Sequence, residues 1–307
     1  MSDFLNKVIT LILIFVMLIL APLLLSYMST DMSAERLVLN DVSQFIDKVT
    51  DKASITEKDL NTLKARAYEN DEAIKLDLME DIKLCAPIVN PVKDVLCLGL
   101  NYKDHVEETN RSFNANYELP KYPIYFSKRV NKAIGINDKI TNYQGVSEEV
   151  DYEVELAVII GKEGINIKKE DAYDYVFGYT IMNDVSARDL QQRHGGQWFR
   201  GKSIDSFTPL GPWIVYKDEI TPPVELDVLS KVNGEVRQSS NTKHFIFDIP
   251  TIINDLSAGM TLKPGDIIAT GTPSGVGMGF KPPKYLKSGD KVECTIDKIG
   301  TLVNTVD

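Results

Sequence analysis

Apolar residues run unbroken near the start of the chain and become periodic later. From Val8 to Leu25 nearly every position is Ile, Leu, Val, Phe or Met, and no charge intervenes between Lys7 and Asp31. A run of about 18–20 such residues is long enough to span a bilayer as a helix. Pro22 is tolerated near the end of such a helix. The residues after Leu25, Ser-Tyr-Met-Ser-Thr-Asp-Met, offer no small-x-small cleavage site. An uncleaved membrane anchor over residues 1–30 is therefore expected ahead of a signal peptide or a buried core helix. Lys and Arg are sparse on both sides of residues 8–25, so orientation is weakly specified.

Between Asp31 and Asn70 the period is helical. Leu39, Val42, Ile46 and Val49 recur at spacings of three and four and share one face. Ser54-Ile-Thr-Glu57 has the form of a capping box and opens a second helix carrying Leu60 and Leu63. Two or three turns are too few to sustain heptads, so residues 31–72 read as a helical stalk or linker. From residue 73 to 307 the pattern changes to short apolar runs separated by Gly, Pro and Asn. Strands are predicted at residues 95–100, 123–126, 154–160, 176–182, 213–216 and 267–270. Helices are predicted at 169–175 and 248–257, and Pro264-Gly265-Asp266 is a turn. No internal repeat is visible. The fold class is α+β and β-rich, not an alternating βαβ fold.

Composition narrows the chemistry. With 307 residues, 43% of them hydrophobic and 25% charged, the chain is of ordinary globular composition and can bury a core. Its 34 basic and 44 acidic side chains give a formal charge of −10, which makes it a poor partner for nucleic acid or anionic lipid. Cys85, Cys97 and Cys294 form no CxxC, disulfide framework or zinc cluster. Three histidines argue against a His-rich metal site. Catalysis must then rest on carboxylates, lysines and a histidine or two.

The most chemical stretch is Ser147-Glu-Glu-Val-Asp-Tyr-Glu-Val-Glu-Leu156. Alternation on a strand points Glu153 and Glu155 to one face, with Val154, Leu156 and Val158 on the other. Neighbouring carboxylates repel unless a cation lies between them, and an all-oxygen site favours Mg²⁺, Mn²⁺ or Ca²⁺ over Zn²⁺. An exposed acidic face is the competing reading, because Glu149 and Asp151 share that parity. Asp184, at the tip of the 176–182 strand, offers a third oxygen or a helix N-cap.

Five motifs, in order, resemble the fumarylacetoacetate hydrolase family. They are Gly99-Leu-Asn-Tyr-Lys-Asp-His105, Tyr152-Glu-Val-Glu-Leu156, Asn183-Asp-Val-Ser-Ala-Arg-Asp189, Arg200-Gly-Lys-Ser203 and Thr270-Gly-Thr-Pro-Ser-Gly-Val-Gly277. The resemblance spans residues 74–306 and leaves out the first 70 or so. It implies a mixed β-roll catalytic domain, usually a homodimer, that binds Mg²⁺ or Mn²⁺ (Ca²⁺ in some members) and acts on small anionic keto acids. It places the metal on Glu153, Glu155 and Asp184, and it implies a domain of cytoplasmic type, in keeping with reduced cysteines.

A 2-keto acid chelates a divalent ion, which stabilises the enolate formed when a C–C bond breaks. Hydrolysis also needs a base to activate water, and His105 is the candidate. Glu108, three residues on, meets it if the segment is helical, and the resemblance puts both on a lid over the substrate. Lys202 matches the family's active-site lysine. Lys128, Arg188 and Gln191 are further candidates to receive the anionic substrate, though Arg188 is equally suited to a structural ion pair. Gly271–Gly279 is no phosphate loop, since Lys281-Pro-Pro follows in place of Gly-Lys-Ser/Thr and a helix. The resemblance gives this loop to the substrate carboxylate, with Thr272 donating through its backbone or hydroxyl. The leading expectation is hydrolysis of acylpyruvate-like β-diketo acids. Oxaloacetate decarboxylation and isomerisation of 2-hydroxyhepta-2,4-dienedioate are alternatives. A membrane-tethered module that binds without catalysis is an alternative of another class, against which His105 and Lys202 argue.

Overall fold

A computed structural model describes residues 83–114 and 118–307. The expected anchor (1–30) and stalk (31–72) lie outside the described residues. Among the described residues no helix is long and apolar enough to cross a membrane.

The elements in chain order are β1 (Val95–Gly99), α1 (Lys103–Phe113), β2 (Ile124–Lys128), β3 (Lys139–Ile140), β4 (Val150–Asp151), β5 (Val154–Ile160), β6 (Val176–Asn183) and β7 (Ser186–Ala187). There follow α2 (Arg188–Arg193), α3 (Phe199–Lys202), β8 (Leu210–Tyr216), β9 (Asp227–Val232), β10 (Glu235–Asn241), α4 (Ile249–Ser257), β11 (Ile267–Ala269), β12 (Lys291–Ile296) and β13 (Gly300–Val306). All six predicted strands are present. The segment at 169–175 is a 3₁₀ helix, and α4 starts where Asp248 caps it by accepting from the Thr251 N–H at 2.9 Å. The chain is thus a sheet-rich α+β fold.

Two sheets carry the architecture. The larger runs β2-β1-β11-β5-β6-β8 and the smaller runs β10-β9-β12-β13-β3. β5 lies inside the larger sheet and all seven of its residues are buried, which is why its sequence is apolar almost throughout. Leu156, Val158 and Ile160 join Leu98, Tyr179 and Ile181 in one core cluster with Val228, Val292, Ile296 and Leu302 of the smaller sheet. Val95, Cys97, Ala157, Ile159, Met182, Leu210 and Ala269 form a second cluster on the sheet's other face. Glu155 shares the strand parity of Ala157 and Ile159 on β5. Each fully buried aliphatic side chain contributes about 1.5–3 kcal/mol.

Two junctions fix the site. β1 pairs in parallel with β11. Just beyond β1, Asn101 donates through Nδ2 to the Thr270 carbonyl (2.8 Å) and accepts at Oδ1 from the Phe247 N–H (2.8 Å). Gln238, wholly buried on β10, reaches from the smaller sheet to the larger. Its Oε1 accepts from the Val154 N–H (3.1 Å), and its Nε2 donates to Thr272 Oγ1 (2.7 Å) and the Pro273 carbonyl (2.8 Å).

Candidate active site

β5 and β6 are antiparallel with Val154 opposite Asn183. That register sets Glu153, just before β5, opposite Asp184, just after β6, and the Asp184 N–H donates to the Glu153 carbonyl at 2.8 Å. Glu153, Glu155 and Asp184 are all buried, and one oxygen from each lies within 4.8 Å of the others. The exposed acidic face considered from the sequence is therefore overturned: Asp151 is fully buried as well. Burial, then Asp184 and Glu153, push the Glu155 carboxyl well above the usual carboxylate range, against the pull of Lys202 and the Gly271 N–H. Burial acts on Glu153 in the same sense, but Lys202, Arg188 and His105 outweigh it and bring that carboxyl down to about 2. Three converging buried carboxylates, one of them raised by burial and by its neighbours, suit a hard divalent cation with oxygen ligands.

The cations around this group have distinct tasks. Lys202 Nζ donates to Glu153 Oε2 at 2.6 Å and to Asp184 Oδ2 at 2.5 Å. Burial would lower the Lys202 ammonium, but Asp184 and Glu153 overcome it and raise its pKa. Lys128 was expected to meet substrate. It is instead wholly buried, donating to Asp184 Oδ1 (2.7 Å) and the Val185 carbonyl (3.1 Å), and it takes no part in the cavity wall. Its ammonium is paired with the Asp184 carboxylate. Arg188 lines the cavity while forming the ion pairs the sequence left open. Its Nε donates to Asp151 Oδ2 (2.9 Å), and its Nη2 lies 2.6 Å from Glu153 Oε1, too poorly aligned to be a hydrogen bond. Nη1 donates to Gln191 Oε1 at 3.2 Å.

The candidate base sits on α1. His105 Nδ1 lies 3.1 Å from Glu108 Oε2, and both side chains are buried. Glu108 Oε1 accepts from the Gly275 N–H at 2.9 Å, so the Gly271–Gly279 loop fixes the carboxylate that orients the imidazole. The same loop meets Asp151, whose Oδ1 accepts from the Gly277 N–H (2.6 Å) and whose Oδ2 accepts from the Met278 N–H (3.1 Å). Asp151 was not picked out as a site residue. Its parity with Glu153 and Glu155 was the available signal. Thr272 is corrected in part. Its hydroxyl is spent, donating to the Val154 carbonyl (3.0 Å) and accepting from Gln238, so only its backbone N–H remains to meet a substrate carboxylate. One cavity is bordered by His105, Glu153, Glu155, Arg188, Lys202 and Thr272. Gln191 and the aromatic rings of Phe126 and Trp198 line it further on.

Residues 94–307 match the family described as fumarylacetoacetate (FAA) hydrolase, C-terminal. The chain belongs to the fumarylacetoacetate hydrolase family. Within that family it is 52% identical over 228 residues to the oxaloacetate tautomerase YisK of Bacillus subtilis, an overlap covering 74% of each protein. It is similar to the structure of 2-hydroxyhepta-2,4-diene-1,7-dioate isomerase from Mycobacterium marinum, with 39% identity and a TM-score of 0.62 over 74% of this chain and 79% of that one. It is also similar to fumarylpyruvate hydrolase from Pseudomonas aeruginosa, solved with Mn²⁺ and pyruvate. Identity there is 30% and the TM-score 0.62, over 71% of this chain and 90% of the other.

Proposed function

We propose that the chain is a divalent-metal-dependent tautomerase that interconverts the keto and enol forms of oxaloacetate or a closely related 2-keto dioate. The observation that carries this reading is the buried His105–Glu108 pair, whose imidazole borders the same cavity as Glu153 and Glu155 of the carboxylate group, in a chain 52% identical over 228 residues to an oxaloacetate tautomerase. Tautomerisation needs a proton moved at C3 and a stabilised oxyanion, and those groups suffice. Hydrolysis needs an activated water and a carbon leaving group in addition. The acylpyruvate hydrolysis expected from the sequence is therefore set behind the isomerase alternative, which the tautomerase and isomerase relatives favour.

Glu153, Glu155 and Asp184 would hold Mg²⁺ or Mn²⁺, which when bound supplies Lewis-acid polarisation of the keto oxygen. His105 faces Glu108 through Nδ1, which leaves Nε2 to take the proton from C3 and return it to the enol. Glu108 keeps the ring in register through that contact. The Thr272 N–H, Arg188 and Lys202 receive the substrate's negative charge.

The test follows the ultraviolet absorbance of enol oxaloacetate mixed with purified protein and Mg²⁺ or Mn²⁺, against the spontaneous rate and a chelated control. Metal-dependent acceleration of ketonisation is expected. Spontaneous-rate behaviour, together with metal-dependent cleavage of acetylpyruvate, would return the chain to the hydrolases.

A further inference from the structure

One polar group on the cavity wall is left without a task. Thr109 lies on α1 one turn after His105, and positions four apart share a helix face. It is 7% exposed and borders the same cavity as His105 and Lys202. Its Oγ1 is buried and meets no hydrogen-bond partner among the described residues. A buried hydroxyl with nothing to bond is uncommon in folded proteins, where nearly all buried polar atoms are paired. A threonine inside a helix can usually satisfy its hydroxyl on the carbonyl one turn back, and Thr109 does not do so. No hydrogen bond fixes its rotamer, and rotation about χ1 exchanges the places of hydroxyl and methyl.

Gln191 reinforces the point. Arginine is a donor only, so the bond from Arg188 Nη1 to Gln191 Oε1 fixes which end of the amide faces the guanidinium. The NH₂ end is then the one left to donate. Gln191 and Thr109 are thus two neutral donors on the wall of one cavity. The keto-acid end of the substrate is received elsewhere, by the cation that the acidic triad would hold and by the Thr272 N–H.

We infer that Thr109 is a substrate-contacting residue whose hydroxyl, together with the Gln191 amide, binds the second carboxylate of a 2-keto dioate and so selects dicarboxylic over monocarboxylic keto acids. This rests on the proposed tautomerase reading. If C3 faces His105, the C4 carboxylate lies one bond beyond it. Thr109 lies about 6 Å further along the helix axis than His105, on the wall of the same cavity. Neutral donors suit this place. A further buried cation beside Arg188 and Lys202 would compete with them for the carboxylates they already hold.

The test compares two acids with the same four-carbon skeleton, oxaloacetate and 2-oxobutanoate, which differ in carrying a carboxylate or a methyl at C4. Proton exchange at C3 in D₂O with Mg²⁺ gives kcat/KM for each, and calorimetric titration of the Mg²⁺-loaded protein gives both affinities without turnover. In Thr109→Val, which keeps shape and removes the hydroxyl, the ratio of kcat/KM for oxaloacetate to that for 2-oxobutanoate should fall about tenfold, through KM. Thr109→Ser should restore it. An unchanged ratio, or an equal loss on both acids that Thr109→Ser does not repair, overturns the inference while leaving the tautomerase reading standing. A wild-type protein that binds oxaloacetate no better than 2-oxobutanoate overturns it as well. A wild-type protein that discriminates in binding but exchanges neither acid sinks the tautomerase reading alone.

Discussion

At the scale of single residues, the proposed function separates a group that would move a proton from groups that hold charge in place. His105→Ala should lower kcat for ketonisation by about 10²–10⁴-fold, the usual worth of a positioned base, with little change in metal affinity measured by titration. Asp151 makes the opposite prediction. It accepts four donors, from Gly277, Met278, Tyr152 and Arg188, and an asparagine turns an NH₂ toward some of them. Asp151→Asn should therefore destabilise the fold by about 3–5 kcal/mol, as breaking a buried ion pair from one side does, read by denaturant unfolding. The carboxylates of the site were legible because strand parity and a family-like spacing singled out Glu153, Glu155 and Asp184. The place of Lys128 and the Thr272 hydroxyl was not legible. Each is decided by a partner far along the chain, Asp184 for one and Gln238 for the other, and no local pattern reports such pairings.

At the scale of elements, α1 is positioned by contact with a loop from the far end of the chain. A Cβ built on Gly279 would lie 2.0 Å from Glu108 Oε1. The atom it meets is the end of a flexible side chain, so the fold can yield at small cost, but the yielding atom belongs to the carboxylate that orients His105. Gly279→Ala should therefore lower kcat by about tenfold or more, short of the loss on removing His105 itself, with a melting temperature near that of the unaltered protein. Activity and thermal melting on one preparation check both halves. Strands were visible in the sequence where both faces are buried, as in β5. They were hidden in the smaller sheet, where β9, β10 and β13 place Ser230, Gln238 and Asn304 at buried positions and so break the apolar alternation that marks a strand. The Asn233-Gly234 turn joining β9 to β10, with φ of 52° and 81°, was the remaining signal for that hairpin.

At the scale of the whole molecule, the metal-binding group should couple to stability. Burial and two neighbouring carboxylates push the Glu155 carboxyl well above its usual range, and a divalent cation that binds only the folded chain relieves that repulsion. At one hundred times its dissociation constant such a cation contributes about 2.7 kcal/mol. Scanning calorimetry should then show the melting temperature rising by about 5–10 °C on adding Mg²⁺ or Mn²⁺ to chelated protein. Glu155→Gln should abolish most of that rise. The parallel pairing of β1 with β11 has a consequence for synthesis. β1 leaves the ribosome about 170 residues before β11, its parallel neighbour in the finished sheet. At about 5–20 residues per second that edge waits on the order of ten seconds or longer. β5 waits for the same strand over about the last 110 residues of that interval, and the nascent chain then carries two apolar strand edges that lack it. The catalytic pocket is thus among the last parts of the molecule to close, and until residue 269 has emerged the chain depends on whatever shields those edges in the cell.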